Sequence, residues 1–119
     1  MNKAGKPAVE RRREKRWNLK PHLPAFDQSS GNLIGGVVDI ATKGLQLVSD
    51  EAIPVEKTYQ LLLEITRENG ESEKIPLRAL SIWTRQHPSG VYHTGFHIFS
   101  MPPKSQLRIK QFIDTLDSE

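Results

Sequence analysis

The feature that most constrains this chain is a rhythm. From residue 17 to residue 100, short apolar stretches are cut at intervals by turn-forming clusters: DQSSGN at 27–32, DIATKG at 39–44, SDEAIP at 49–54, RENGES at 67–72 and HPSG at 87–90. That spacing is characteristic of an all-β domain. Six strands are predicted, near residues 17–26, 33–39, 44–49, 57–66, 75–85 and 91–100. Alternation is clearest in TYQLLLEI, where Tyr59, Leu61, Leu63 and Ile65 share one face while Gln60 and Glu64 point the other way. Six antiparallel strands with short connections either close into a barrel or leave edges exposed. Closure is the commoner solution at this size, so the sequence favours a small barrel.

The period changes near the C-terminus. After MPPK, with Pro102 and Pro103 suited to a first helical turn, Ile109, Phe112, Ile113 and Leu116 fall at i, i+3, i+4 and i+7, while Arg108, Lys110, Gln111 and Asp114 face elsewhere. This predicts one amphipathic helix over about 103–117, its apolar stripe packed on the open end or outer face of the barrel. With 119 residues there is room for one domain, placed at 10–117. Residues 1–9, MNKAGKPAV, have almost nothing to bury and are expected to form a flexible leader.

Composition removes several classes of function. The chain has no cysteine, which excludes disulfides, thiolate metal sites and a cysteine nucleophile. Its longest apolar runs are a few residues, so no membrane span is expected, and the basic N-terminus lacks the apolar stretch of a secretory signal; a cytoplasmic protein is expected. His22, His87, His93 and His97 show no metal spacing. Even on one strand face, His93 and His97 would have Cα atoms about 13 Å apart. They read as partly exposed strand residues. No Gly-rich phosphate loop, His-Glu helix motif or nucleophile elbow is present, so neither an enzyme, a cofactor nor a metal is expected.

Charge carries the functional signal. Residues 1–20 hold Lys3, Lys6, Arg11, Arg12, Arg13, Lys15, Arg16 and Lys20 against Glu10 and Glu14, a balance of +6 in a chain whose total is +3, so the remainder is net −3. A basic arm on a slightly acidic body suits an anionic partner met at one end. Arg12 and Arg16 are four apart, with Arg11 and Arg13 adjoining. Arginine's planar fork pairs bidentately with phosphate or with the O6/N7 edge of guanine and stacks flat on a base. Taken alone, such a run reads first as a solvated charged arm. In VVDIATKGLQLVS, Asp39 ends one strand and Gly44 begins another, and the tight turn between them predicts a positive φ at Gly44. Asp39 there either caps the turn or presents its carboxylate to a ligand.

Together the two elements are specific. Arg-xxx-Arg before the first strand and Asp-x-Ser-x-x-Gly between the second and third resemble the signature of the PilZ domain, a bacterial receptor for the second messenger cyclic di-GMP. Arg12 and Arg16 match its two arginines, Arg11 extends the match to the longer Arg-Arg-xxx-Arg form, and DIATKG supplies Asp39 and Gly44. The resemblance runs over roughly 10–116, through SIWTR and YHTGFHIFSMPP to the helix. It implies a six-stranded antiparallel β-barrel with a C-terminal helix. It also implies a nucleotide-binding switch: segment 10–16 wraps over cyclic di-GMP, often a stacked dimer of two molecules, while the Asp39 turn holds a guanine through its N1–H and N2–H₂ donors. The ligand-binding set is then Arg11, Arg12, Arg16, Asp39, Ala41 and Gly44. Ala41 stands where the family has serine, which removes any hydroxyl hydrogen bond, worth about 0.5–1.5 kcal/mol, and leaves the backbone contacts. Arg13 either joins the ligand or only adds field. Trp83 corresponds to a fifth-strand aromatic that in some members lies near the ligand, but it shares a predicted face with Leu77 and Ala79, and the core placement is preferred.

The expected function is that of a non-enzymatic receptor whose arm orders on cyclic di-GMP and acts on a separate, unidentified effector protein. One alternative is a PilZ-like protein interaction module with weak or lost cyclic di-GMP binding, Ala41 being its first sign. A β-barrel for single-stranded nucleic acid is disfavoured, because eight aromatics show no paired pattern on an exposed strand face. Nothing in the sequence selects among motility, polysaccharide export and virulence as the output.

Overall fold

A computed structural model describes residues 17–67 and 69–117. The expectations for the leader and for segment 10–16 fall outside those residues. The strands are β1 (Trp17–Asp27), β2 (Leu33–Ala41), β3 (Gly44–Ser49), β4 (Thr58–Thr66), β5 (Ser72–Gln86) and β6 (Tyr92–Ser100), followed by the helix α1 (Pro103–Asp117). They close into one antiparallel barrel in the order β1-β2-β3-β6-β5-β4, so among the described residues no strand is left with an open edge. The barrel and helix are those read from the sequence. The largest boundary difference is β5, which begins at Ser72 rather than 75. The β4–β5 ladder runs on to Thr66↔Ser72 because a compact turn, with Gly70 at φ 91°, joins the two strands.

The barrel interior is the core. On β4, Leu61, Leu63 and Ile65 point inward and Tyr59 is half-buried, as the alternation of TYQLLLEI requires. They meet Val37 and Ile40 from β2, Leu45 and Leu47 from β3, Ile75, Leu77 and Ala79 from β5, and Phe96 and Ile98 from β6. Tyr59 and Phe96 pack edge to face with centroids 5.7 Å apart. The buried hydroxyls of Ser81 and Thr94 find partners in place. The Ser81 hydroxyl donates to Pro54 O at 2.8 Å and accepts from the Lys57 amide at 3.1 Å, while Thr84 and Thr94 pair their hydroxyls at 3.2 Å.

The helix buries Ile109 and Ile113 against the barrel, with Phe112 and Leu116 at the margin of the same stripe. Arg108 lies off the stripe and ties α1 to β5: its Nε donates to Glu73 Oε1 at 2.6 Å, and Arg67 Nη2 donates to the same oxygen at 2.9 Å. These hydrogen bonds, that from Arg108 foremost, hold the Glu73 carboxyl below its ordinary 4.5. Among the described residues, no helix is long and apolar enough to cross a membrane.

Candidate functional site

Strict alternation would bury the wrong residues. On β2, Val37 faces the core, so Asp39, two positions on, should do so too. It does not, because Val38 is an extra residue in the β2–β3 ladder: Val37 pairs with Leu47, yet the next pair is Asp39↔Gln46. The bulge reverses the phase, turning Ile40 inward and Asp39 outward. The same device recurs on β5. Ser81 pairs with Phe96 and faces the core, Ile82 is the extra residue, and Trp83 pairs with Gly95 on the outside.

Register then joins these outward residues into one row. Asn18 on β1 lies opposite Asp39, Asp39 opposite Gln46, Gln46 opposite Gly95, and Gly95 opposite Trp83. At about 4.8 Å per strand, Asp39 and Trp83 stand roughly 14 Å apart on one surface. Gln46 Nε2 donates to Asp39 Oδ2 at 3.2 Å, and Gln46 Oε1 meets His93 Nδ1 at 2.7 Å. Trp83 lies on the bare backbone of Gly95, where a Cβ would collide with the indole. The Arg85 guanidinium sits 5.3 Å from the indole centroid. A row bearing a carboxylate, an amide and an aromatic face can hydrogen-bond a base edge at one end and stack a ring at the other.

Two sequence expectations are corrected. Trp83 is not a core residue: it is 37% exposed, whereas Leu77 and Ala79 on its own strand are buried, and the Ile82 bulge is the reason. Gly44 does not have positive φ; among the described residues the glycines that do are Gly31, Gly70 and Gly90. Gly44 is the first residue of β3, paired with Ala41 and with His97 across a two-residue turn of Thr42 and Lys43. It closes the turn rather than occupying its apex, and at that closing position glycine is favoured without a left-handed backbone. Ala41 is fully buried beside it. Arg11, Arg12, Arg13 and Arg16 lie outside the described residues. The chain they precede enters the barrel at Trp17, paired with Ile40, immediately beside Asp39.

Sequence reasoning missed Gln46, His93, Arg85 and Gly95. GLQLV signals by alternation that Gln46 points outward, but nothing local aligns β3 with β6. The cleft between α1 and the barrel, lined by Phe99, Leu107 and Lys110, takes in Thr42 and Lys43 of the turn but neither Asp39 nor Trp83.

A closed six-stranded barrel with one packed helix and an outward row of polar and aromatic side chains defines a small β-barrel domain. The PilZ domain matches residues 10–115, and the chain belongs to the PilZ domain family. Among solved structures, the Bacillus subtilis inhibitor of motility (MotI/DgrA) is similar, with a TM-score of 0.71 and 14% identity over 87% of this chain; the chain spans 50% of that one. No curated protein matches the chain.

Proposed function

We propose that the chain is a cytoplasmic, non-enzymatic receptor for cyclic di-GMP that orders its arginine arm on binding and passes the signal to a separate protein. The observation that carries this reading is the Asn18↔Asp39 pairing, which roots the arm next to the carboxylate meant to hold a guanine. Arg16 is one residue from Trp17, and Arg12 five, a reach of up to about 17 Å for its Cα. Both arginines can therefore come over Asp39's side of the barrel. Arg12 and Arg16, with Arg11 and Arg13, would neutralise two phosphates and grip Hoogsteen edges. Asp39 would accept from N1–H and N2–H₂, backbone groups near Ala41 and Gly44 would line the turn, and Trp83 would offer a stacking face to one base, or to a second molecule of a stacked dimer.

The magnitudes suffice. Three or four charge-assisted bonds at about 1.5–3 kcal/mol each, with stacking, reach the roughly 8 kcal/mol of a micromolar complex after part is offset by ordering the arm. Ordering a basic segment over an anion is a disorder-to-order switch whose new surface another protein can read. Titration calorimetry with cyclic di-GMP, against cyclic di-AMP and GTP, tests the reading. Saturable heat with cyclic di-GMP alone supports it. No heat at high micromolar cyclic di-GMP overturns it in favour of an interaction module without the nucleotide.

A further inference from the structure

The Asp39–Gln46–His93 chain of hydrogen bonds fixes the orientation of the Gln46 amide. A carboxylate only accepts, so the Gln46 amide must turn its Nε2 toward Asp39 Oδ2, at 3.2 Å. Its Oε1 then faces His93 Nδ1 at 2.7 Å, and an amide oxygen also only accepts, so that imidazole nitrogen must carry a hydrogen. The requirement is met by the neutral Nδ1–H tautomer and by the imidazolium alike. Gln46 reaches both partners because Asp39 lies directly opposite it on β2, while His93 lies diagonally across on β6, where Val48 is its direct pair. His93 is itself braced, its ring 5.8 Å from that of His87 and its backbone opposite Arg85.

The consequence is a fixed pattern. One Nε2 hydrogen is committed to Asp39, and the amide carries a second that can be donated to a ligand. Side by side, Asp39 and Gln46 offer acceptor, acceptor, donor. Guanine's Watson–Crick edge presents the complement: N2–H₂ donor, N1–H donor, O6 acceptor. Adenine, with an acceptor at N1 and a donor at C6, presents the reverse at the last two positions. We infer that Gln46, its amide orientation locked by His93, is a specificity-determining residue that reads guanine O6 beside Asp39. This rests on the receptor reading above and adds to it residues outside the arginine and Asp-to-Gly motifs. Gln46 touches the base; His93 is a positioning residue that acts through Gln46.

Selectivity is the test, since a merely structural role would weaken all nucleotides in proportion. Calorimetry is run on the full chain with cyclic di-GMP and cyclic di-AMP for wild type, Gln46→Leu, His93→Phe and His93→Gln, with thermal unfolding of each. Gln46→Leu is expected to raise the Kd for cyclic di-GMP about tenfold and to shrink the preference over cyclic di-AMP by a similar factor, with Tm within about 2 °C. His93→Phe should raise the Kd about three- to fivefold, and His93→Gln, which restores a donor toward Oε1, should recover most of it. Wild type that binds cyclic di-GMP while Gln46→Leu keeps both its Kd and its selectivity within twofold overturns this inference and leaves the receptor reading standing. Wild type that binds neither nucleotide overturns both.

Discussion

The two faces of the β3–β6–β5 wall follow opposite rules. Inward, Leu45, Leu47, Thr94 and Phe96 are almost completely excluded from solvent, and the only polar group among them is paired hydroxyl to hydroxyl. Outward, on the same strands and one residue away, stand Gln46, His93, Gly95, Trp83 and Arg85, joined by side-chain hydrogen bonds and ring contacts. The inner face is held by area removed from water, which tolerates loss poorly but asks little of orientation. The outer face is held by directional contacts that contribute little to stability and that, on the proposed reading, decide which molecule fits. Stability and recognition are thus separated by the pleat of single strands.

Substitutions on either side of that pleat should separate the same way. The largest expected effect is Leu47→Ala, which opens a cavity in the barrel at a cost of about 2–5 kcal/mol and lowers Tm by roughly 10–20 °C in thermal unfolding. Across the wall, Asp39→Ala should leave Tm within a few degrees while raising the Kd for cyclic di-GMP at least tenfold by calorimetry; Arg12→Ala and Arg16→Ala should do likewise. An Asp39→Ala protein that unfolds as early as Leu47→Ala would break the contrast. Gly95→Ala tests the boundary itself. Its methyl cannot coexist with the present indole position, so Trp83 must swing away, with a fluorescence shift and a cost of about 1–3 kcal/mol.

The smallest effect concerns Glu73. Hydrogen bonds from Arg108 and Arg67 lower its folded-state value below the ordinary 4.5, so its contribution is present above that pH and lost as the pH falls through the lowered value. The Tm advantage of wild type over Glu73→Gln, about 1–3 °C near neutrality for so exposed a cluster, should fade below pH 4.5. It should not depend on cyclic di-GMP.

Most of the fold was legible because its determinants are local. The period-two pattern of TYQLLLEI, the punctuating Gly and Pro clusters and the i, i+3, i+4, i+7 stripe of α1 act within a few residues, and the six strands and the helix lie where those patterns put them. Trp83 was misplaced because phase along β5 is a property of two strands: whether Ile82 is an extra residue is decided by its pairing with β6. Gln46 and His93 escaped for a related reason, since 47 positions of sequence separate side chains that meet at 2.7 Å. Gly44 was recognised as a turn glycine, but its backbone sign depended on whether it opened the next strand or sat at the apex. Asp39 was identified from the motif it shares with the family; that it faces outward is due to Val38.

Val38 and Ile82 carry a consequence for how such a surface can change over time. Each is a single inserted position that exchanges inside for outside along the remainder of its strand. Counted along the sequence, the side chains that follow each bulge are ones that an unbroken alternation would bury, and the bulge is what holds them outside. Deleting Ile82 would make Ser81↔Phe96 and Trp83↔Gly95 consecutive pairs of a regular ladder and leave the indole outside, so the outer wall can lose a bulge residue and keep the side chains it displays, whereas straightening the strand with Ile82 retained would turn the indole inward.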